Sequence, residues 1–281
     1  FLMLDSVPRF DEASAARLAH ERFGIDGVIH PLFSERDQNF RVQPRRTGHG
    51  AVLKIANARE ARAILEAQHA ALDHLARRTG LTPRVLGTTD GERLIPVTAP
   101  DGREHLAWAI SWLRGRPLAE VHRPSPALLT SLGRAVAEVD TAFIGFDHPA
   151  VHRPFIWNLS GARPVVDERR ALVTDPSLGA VIDAVCRAFD LHTAPVLPSL
   201  ARAVIHGDLN DYNVLVECSD APDSALAVCG IVDFGDMVES YAVADLAIAV
   251  AYALLDAPDP LAVAASVVAA FHAERPLIAD E

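Results

Sequence analysis

The chain of 281 residues is half hydrophobic and carries 37 acidic against 26 basic side chains, a net charge of -11. That is enough apolar material for one large domain or two lobes. The acidic balance argues against a nucleic-acid partner but not against a phosphorylated small ligand in a locally basic site. No apolar run reaches the roughly 20 residues of a membrane span, and "FLMLDSVPRF" lacks the basic and long apolar regions of a signal peptide. Cys186, Cys218 and Cys229 are widely spaced in apolar segments. They are expected to be buried free thiols of a reducing cytoplasm, with no zinc site.

Along residues 1–113 the pattern is strand-rich. "GVIHPL" (27–32), "NFRVQ" (39–43) and "GAVLKIA" (50–56) are short β-type runs, the last two separated by a turn at Thr47-Gly48-His49-Gly50. Apolar residues at Ile64, Leu65, Leu72 and Leu75 predict a helix from Arg59 to Arg78, stopped by Gly80 and Pro83. "RVLGTT" and "RLIPVT" follow as a predicted hairpin across Asp90-Gly91, then the strand "HLAWAISWL" (105–113). "RGRPL" looks like a hinge between lobes. Beyond it, 114–281 has Ala/Leu-rich helical stretches at 126–143, 176–192, 242–255 and 260–274. Short strands "AVI", "NVLV" and "VCGIVDF" interrupt them. A β-rich lobe followed by a mainly helical one is an α+β architecture.

"VIHGDLNDYNVLV" (204–216) sets more polar groups between two apolar runs than a turn needs. Asp208 and Asn213 have the D-x-x-x-x-N spacing of a kinase catalytic loop, where the Asp orients the attacking hydroxyl and the Asn offers Mg²⁺ a neutral oxygen. Twenty residues on, "GIVDFGD" ends a strand in Asp233-Phe-Gly, a carboxylate suited to the same hard cation. Lys54, inside the apolar run "AVLKIA", requires an anionic partner. Glu66 on the following helix is the expected one, with Glu60 its rival. Taken singly, Lys54 could snorkel, Glu66 could face water and Asp233 could sit in a plain turn. In this order and spacing they point together to phosphoryl transfer.

These stretches resemble the aminoglycoside phosphotransferase/choline kinase superfamily. "SERDQNFRV" (34–42) with "VLKIANAREARAILEAQHAALDHL" is most similar to its hydroxylysine kinase-type branch. The resemblance implies a protein-kinase-like bilobal fold and phosphorylation of a small molecule's hydroxyl, with Mg²⁺ and ATP or GTP. On it, Asp208 is the catalytic base and Asn213 and Asp233 are the metal ligands. Lys54 holds the α/β-phosphates, paired with Glu66. Ser34, Gln38 and Asn39 lie in the loop over the nucleotide, a loop without the glycines of protein kinases. Ile110, Ser111, Trp112 and Leu113 meet the base. Trp157 in "WNLS" faces a cationic amine or lies in the core, and Asp245 braces the catalytic loop. His206 reads as a hydrogen-bonding anchor of that loop.

Asp211 and Asp236 flank the expected mouth. With Asp208, Asp233 and Glu239 they make it negative, which favours a hydroxylated amine as acceptor. The rival readings are an aminoglycoside or choline/ethanolamine kinase, and an inactive nucleotide-binding module. Some bacterial relatives carry such a domain ahead of an aminotransferase-like enzyme. The missing initiator Met and the abrupt "PLIADE" end fit a piece of such a fusion.

Overall fold

The computed structural model describes residues 6–45, 48–218 (the Cys218 side chain excepted) and 226–281, so part of the expected Thr47–Gly50 turn lies outside the described residues. The chain divides into two units. One is Phe1–Gly115 with Cys229–Gly235; the other is Arg116–Val228 with Asp236–Glu281. The return of Cys229–Gly235 to the first unit puts Asp233 there, whereas the sequence reading groups it with 114–281. The returning segment is tied by backbone: Ile231 N–H donates to Leu81 O at 2.7 Å.

The first unit opens with a helix that the sequence reading lacked, α1 (Glu12–Phe23), begun by Asp11 accepting from Ser14 N–H. There follow β1 (Val28–Leu32), β2 (Gln38–Gln43), β3 (Ala51–Ile55), α2 (Arg62–Leu75), β4 (Val85–Leu86), β5 (Ile95–Thr98) and β6 (Glu104–Ser111). The strands form one antiparallel sheet in the order β1-β2-β3-β6-β4, with β5 also on β6. The predicted hairpin is corrected here, since β4 and β5 each pair with β6 and not with each other. Asp90-Gly91 does make a turn, with Gly91 N–H donating to Thr88 O, but the strands it joins are too short and divergent to zip up.

Strand alternation sorts the sheet's two faces. Phe40 and Val42, Leu53 and Ile55, Ala107 and Ala109 pack with Ala15, Ala19 and Phe23 of α1 in one core. The opposite parity places Asn39, Lys54 and Trp108 side by side on the other face, through the pairs Asn39↔Lys54 and Lys54↔Trp108. Helix α2 meets that face, its His69 ring 4.7 Å from the Trp108 ring.

The second unit holds β7 (Arg116–Pro117), α3 (Pro126–Phe143), α4 (Ala162–Arg169), α5 (Pro176–Ala188), β8 (Arg202–Ile205) and β9 (Val214–Cys218). After β10 (Leu226–Ile231), which leads out of it, come β11 (Val238–Tyr241), α6 (Ala244–Ala253) and α7 (Pro260–Glu274). The predicted 176–192 helix is α5 plus a π-helical turn at Phe189–Thr193. Gly133 lets the α3 and α7 backbones approach closely, since a Cβ there would lie 2.2 Å from the backbone oxygen of Val267. β8 and β11 pair antiparallel, Ile205 opposite Val238, so the turns after Ile205 and before Val238 emerge together. Cys186 and Cys229 are only half-buried, so the expectation of buried thiols is corrected for both, and Cys218 lies outside the described side chains.

Candidate active site

In the second unit, the turn after β8 is held from behind. Asp245, fully buried on α6, accepts from His206 N–H at 2.7 Å and from Gly207 N–H at 2.9 Å. Gly207 has φ 80°, and a Cβ on it would stand 2.6 Å from Asp236 O, so only glycine fits between the two turns. The Asp208 amide donates to Nδ1 of the buried His206 at 3.2 Å. His206 is therefore an anchor through its ring, as expected.

The Asp208 carboxylate is then fixed from both sides. Asn210 Nδ2 donates to Oδ1 and Asn213 Nδ2 to Oδ2, each at 2.9 Å. Asn213 Nδ2 also reaches Asp208 O at 2.9 Å. With its NH₂ directed at Asp208, the Asn213 amide presents its oxygen elsewhere, and that is the atom a metal would take. Asn210 has no role in the sequence reading. It both bonds Asp208 and accepts from Tyr212 N–H and Asn213 N–H, which sets the spacing of the motif.

In the first unit, Lys54 is buried, and its ammonium lies 3.6 Å from Asp233 Oδ1 and 5.2 Å from the Trp108 ring. The expected Lys54–Glu66 pair is not formed. Glu66 is exposed and pairs with Arg62 one turn earlier at 3.4 Å. The helix phase explains the correction: Leu65, Gln68, His69 and Leu72 form the buried face of α2, which turns Glu66 to solvent. Glu60 does not take its place. It precedes the helix, and its carboxylate accepts from Ala61 N–H. Burial, then the nearby Arg93 charge, push the His69 imidazole down to about 4, so α2 offers Trp108 a neutral ring.

Asp233 adopts φ 63°, one of two non-glycine residues with positive φ among the described residues. Such a conformation costs on the order of 1–3 kcal/mol and persists where the surroundings demand it. Its Oδ1 also accepts from Gly235 N–H at 3.4 Å.

The loop residues divide by parity. Asn39 shares the Lys54 face, and its buried Oδ1 has no hydrogen-bond partner among the described residues. Gln38 points to the α1 side, where its amide exchanges two 2.8 Å bonds with the Phe10 backbone. The expectation that Gln38 reaches over a nucleotide is therefore corrected. Ser34 accepts from Asp37 N–H at 3.2 Å, closing the turn.

Ile110 lies on the Lys54 face, while Ser111 Oγ accepts from Arg84 N–H and Trp112 N–H donates to Gly50 O. Leu113 follows, half-buried. Arg41, not foreseen, stacks 4.2 Å over Trp112. Its signal was parity with Asn39.

Around the second unit's turn, Trp157 is 69% exposed, so it is no core residue. Its neighbour Asn158 pins the segment to β11, donating to Glu239 O and accepting from Ser240 Oγ. Asp211 and Asp236 are half-buried in their turns. Two of the five carboxylates expected to make a negative mouth have cationic partners. Glu239 is neutralised by a two-point contact with Arg202 at 2.5 and 2.6 Å, which lowers its pKa, and Asp233 by Lys54.

This is a kinase-like α+β fold, and comparison with known proteins places it among small-molecule phosphotransferases. The microcompartment-associated aminopropanol kinase superposes with a TM-score of 0.71 at 19% identity, covering 96% of this chain and 83% of that one. An amicoumacin kinase solved with AMP-PNP, Ca²⁺ and Ami superposes at 0.68 and 14% identity, covering 96% and 79%. Hydroxylysine kinase of Mus musculus is 32% identical over 293 residues, 98% of this chain and 77% of the mouse protein. The model of the APH phosphotransferase enzyme family matches residues 29–279, and the chain belongs to that family. It is an enzyme, a small-molecule kinase. Among the described residues no helix is long and apolar enough to cross a membrane.

Proposed function

We propose that the enzyme moves the γ-phosphoryl group of ATP or GTP to the hydroxyl of a small hydroxylated amine, an amino acid or amino alcohol of the hydroxylysine kind. The observation that carries this reading is the Asp208 carboxylate gripped by Asn210 and Asn213 amides on a turn built against buried Asp245. A group whose task is to orient a hydroxyl and take its proton must be fixed before the substrate arrives.

The residues fit a magnesium nucleotide. The Lys54 ammonium already stands at Asp233, where a cation belongs, and the Asn213 oxygen is turned from its own donors. Asn213 and Asp233 would hold the metal, whose chemistry when bound is neutralisation of phosphate charge. Lys54, released from Asp233, takes phosphate oxygens. Ser34 and Asn39 offer polar contacts beside them, and Ile110–Leu113 with Ser111 and Trp112 receive the base. Asp208 orients the acceptor oxygen.

For the acceptor, exposed Trp157 offers a ring face to an ammonium, and Asp211 and Asp236 offer charge. The names of the mouse hydroxylysine kinase and the aminopropanol kinase, both acting on hydroxylated amines, support this class. Work in a reducing cytoplasm, which the wide spacing of the three cysteines suggests, is part of the same proposal.

The test is nucleoside diphosphate release with ATP and with GTP across hydroxylated amines and their uncharged analogues. The expected result is turnover selective for the amines. Equal kcat/KM for amine and neutral alcohol removes the acceptor assignment. Nucleotide binding without turnover on any acceptor identifies an inactive module instead.

A further inference from the structure

Behind the Asp208 turn lies buried charge that the phosphotransfer residues do not include. Asp140, near the end of α3, has a side chain 5% exposed, and its Oδ2 accepts from Arg275 Nη1 at 3.3 Å. Its other oxygen, Oδ1, is buried with no donor to satisfy it among the described residues. The carboxyl facing it is Asp245 of α6, whose own oxygens are spent on the His206 and Gly207 amides. The groups around the pair are Asp245 from α6, His206 from the turn after β8, and Arg275 and Glu281 from the segment after α7. Arg275 is itself shared, 3.7 Å from Glu281.

Two ionised carboxylates in contact, both buried, would repel each other and leave Oδ1 as an unpaired acceptor. One proton between them removes both faults, because it halves the charge and turns Oδ1 into a donor. The proton belongs on Asp140. Burial, and then the Asp245 charge, push the Asp140 carboxyl well above the usual carboxylate range. Burial raises Asp245 as well, but His206 and the two amides favour its ionised form.

We propose that Asp140 is a positioning residue: as a neutral carboxylic acid it donates a hydrogen bond to Asp245, which holds the His206 and Gly207 amides and thereby sets the direction of Asp208. The kinetic part of this inference rests on the phosphotransfer reading above; the hydrogen bond itself does not.

The test compares the intact chain with Asp140→Asn, which keeps a neutral donor of the same shape, and Asp140→Ala. Infrared spectroscopy should show a protonated-carboxyl band in the parent protein that Asp140→Asn lacks. Asp140→Asn should keep kcat near the parent value at neutral pH and lose the alkaline fall that the parent shows as the shared proton leaves. Asp140→Ala should lower kcat by about 100-fold, the scale of a misplaced catalytic group, with the nucleotide KM little changed.

If Asp140→Asn fails as Asp140→Ala does, Asp140 works as an ionised partner of Arg275 and the proposal is overturned. Absence of the band in the parent protein overturns it equally. Should Asp140→Ala not fold, the band and the Asp140→Asn pH profile still decide. A parent protein that phosphorylates no acceptor defeats the functional reading, and the band then decides the hydrogen bond alone.

Discussion

The two units hold their carboxylates by opposite means. Asp233, in the first, stands half-exposed on a left-handed backbone with Lys54 beside it. Asp208, in the second, is fixed by two side-chain amides on a turn whose own amides are locked onto buried Asp245. The first arrangement is an exchangeable ion pair, in which Lys54 can give up Asp233 once better anions and cations arrive. The second is preorganised, both carboxylate oxygens already accepting from amides. On the function proposed above, binding and releasing a nucleotide calls for the first kind of support, and aiming one oxygen calls for the second.

Breaking the rigid side should cost most. Asp208→Ala is expected to lower turnover by about 10²–10⁴-fold, the range of a lost acid–base group, while nucleotide affinity measured by titration stays within a few-fold. Near-normal turnover would refute the role given to Asp208. On the exchangeable side, Asp233→Ala should weaken magnesium-nucleotide binding by about tenfold or more, at 1.4 kcal/mol per decade. Calorimetry at varied Mg²⁺ reads this directly, and an unaltered metal dependence would reduce Asp233-Phe-Gly to a turn.

A smaller effect probes the turn's steric fit. Gly207→Ala places a Cβ against Asp236 O and should destabilise the fold by about 1–3 kcal/mol, visible as a lower Tm and lower kcat together. An unchanged Tm would mean that the turn yields easily and is not rigid. The smallest effect sharpens the contrast from the other direction. Glu66→Gln removes only an exposed pair with Arg62, so stability should move within about 0.5 kcal/mol and activity should hardly change. A collapse of activity would show that α2 rotates Glu66 onto Lys54 during turnover.

Much of the site was legible because its chemistry is local in sequence. Asp208 and Asn213 meet within one turn, and Asn210 between them follows the same short path, so spacing alone implied their contact. The helix at 126–143 was equally plain, since Ser125 caps it and Pro126 begins it. Where partners are distant, local patterns failed. Glu66 was a reasonable partner for Lys54 by residue type, yet α2's burial pattern turns it outward and the chain brings Asp233 back from 179 positions away. Gln38 and Asn39 look alike in sequence, but alternation sends one to Phe10 and the other to the Lys54 face. Helix α1 escaped notice because its apolar stripe is mostly alanine, and its burial is visible only against the finished sheet.

By itself, then, the sequence determined which residues to propose for the chemistry, because a hydroxyl-orienting Asp, a neutral Asn oxygen and a buried Lys are requirements of residue type and short spacing. Only the tertiary structure decided how each is held. Lys54 has Asp233 and not Glu66 for a partner, Glu239 is taken by Arg202, and Asp245 faces a second carboxyl at Asp140. Those outcomes depend on helix phase, strand parity and the packing of α3 against α6, which arise from contacts among residues far apart in the chain and leave no mark in any single stretch of it.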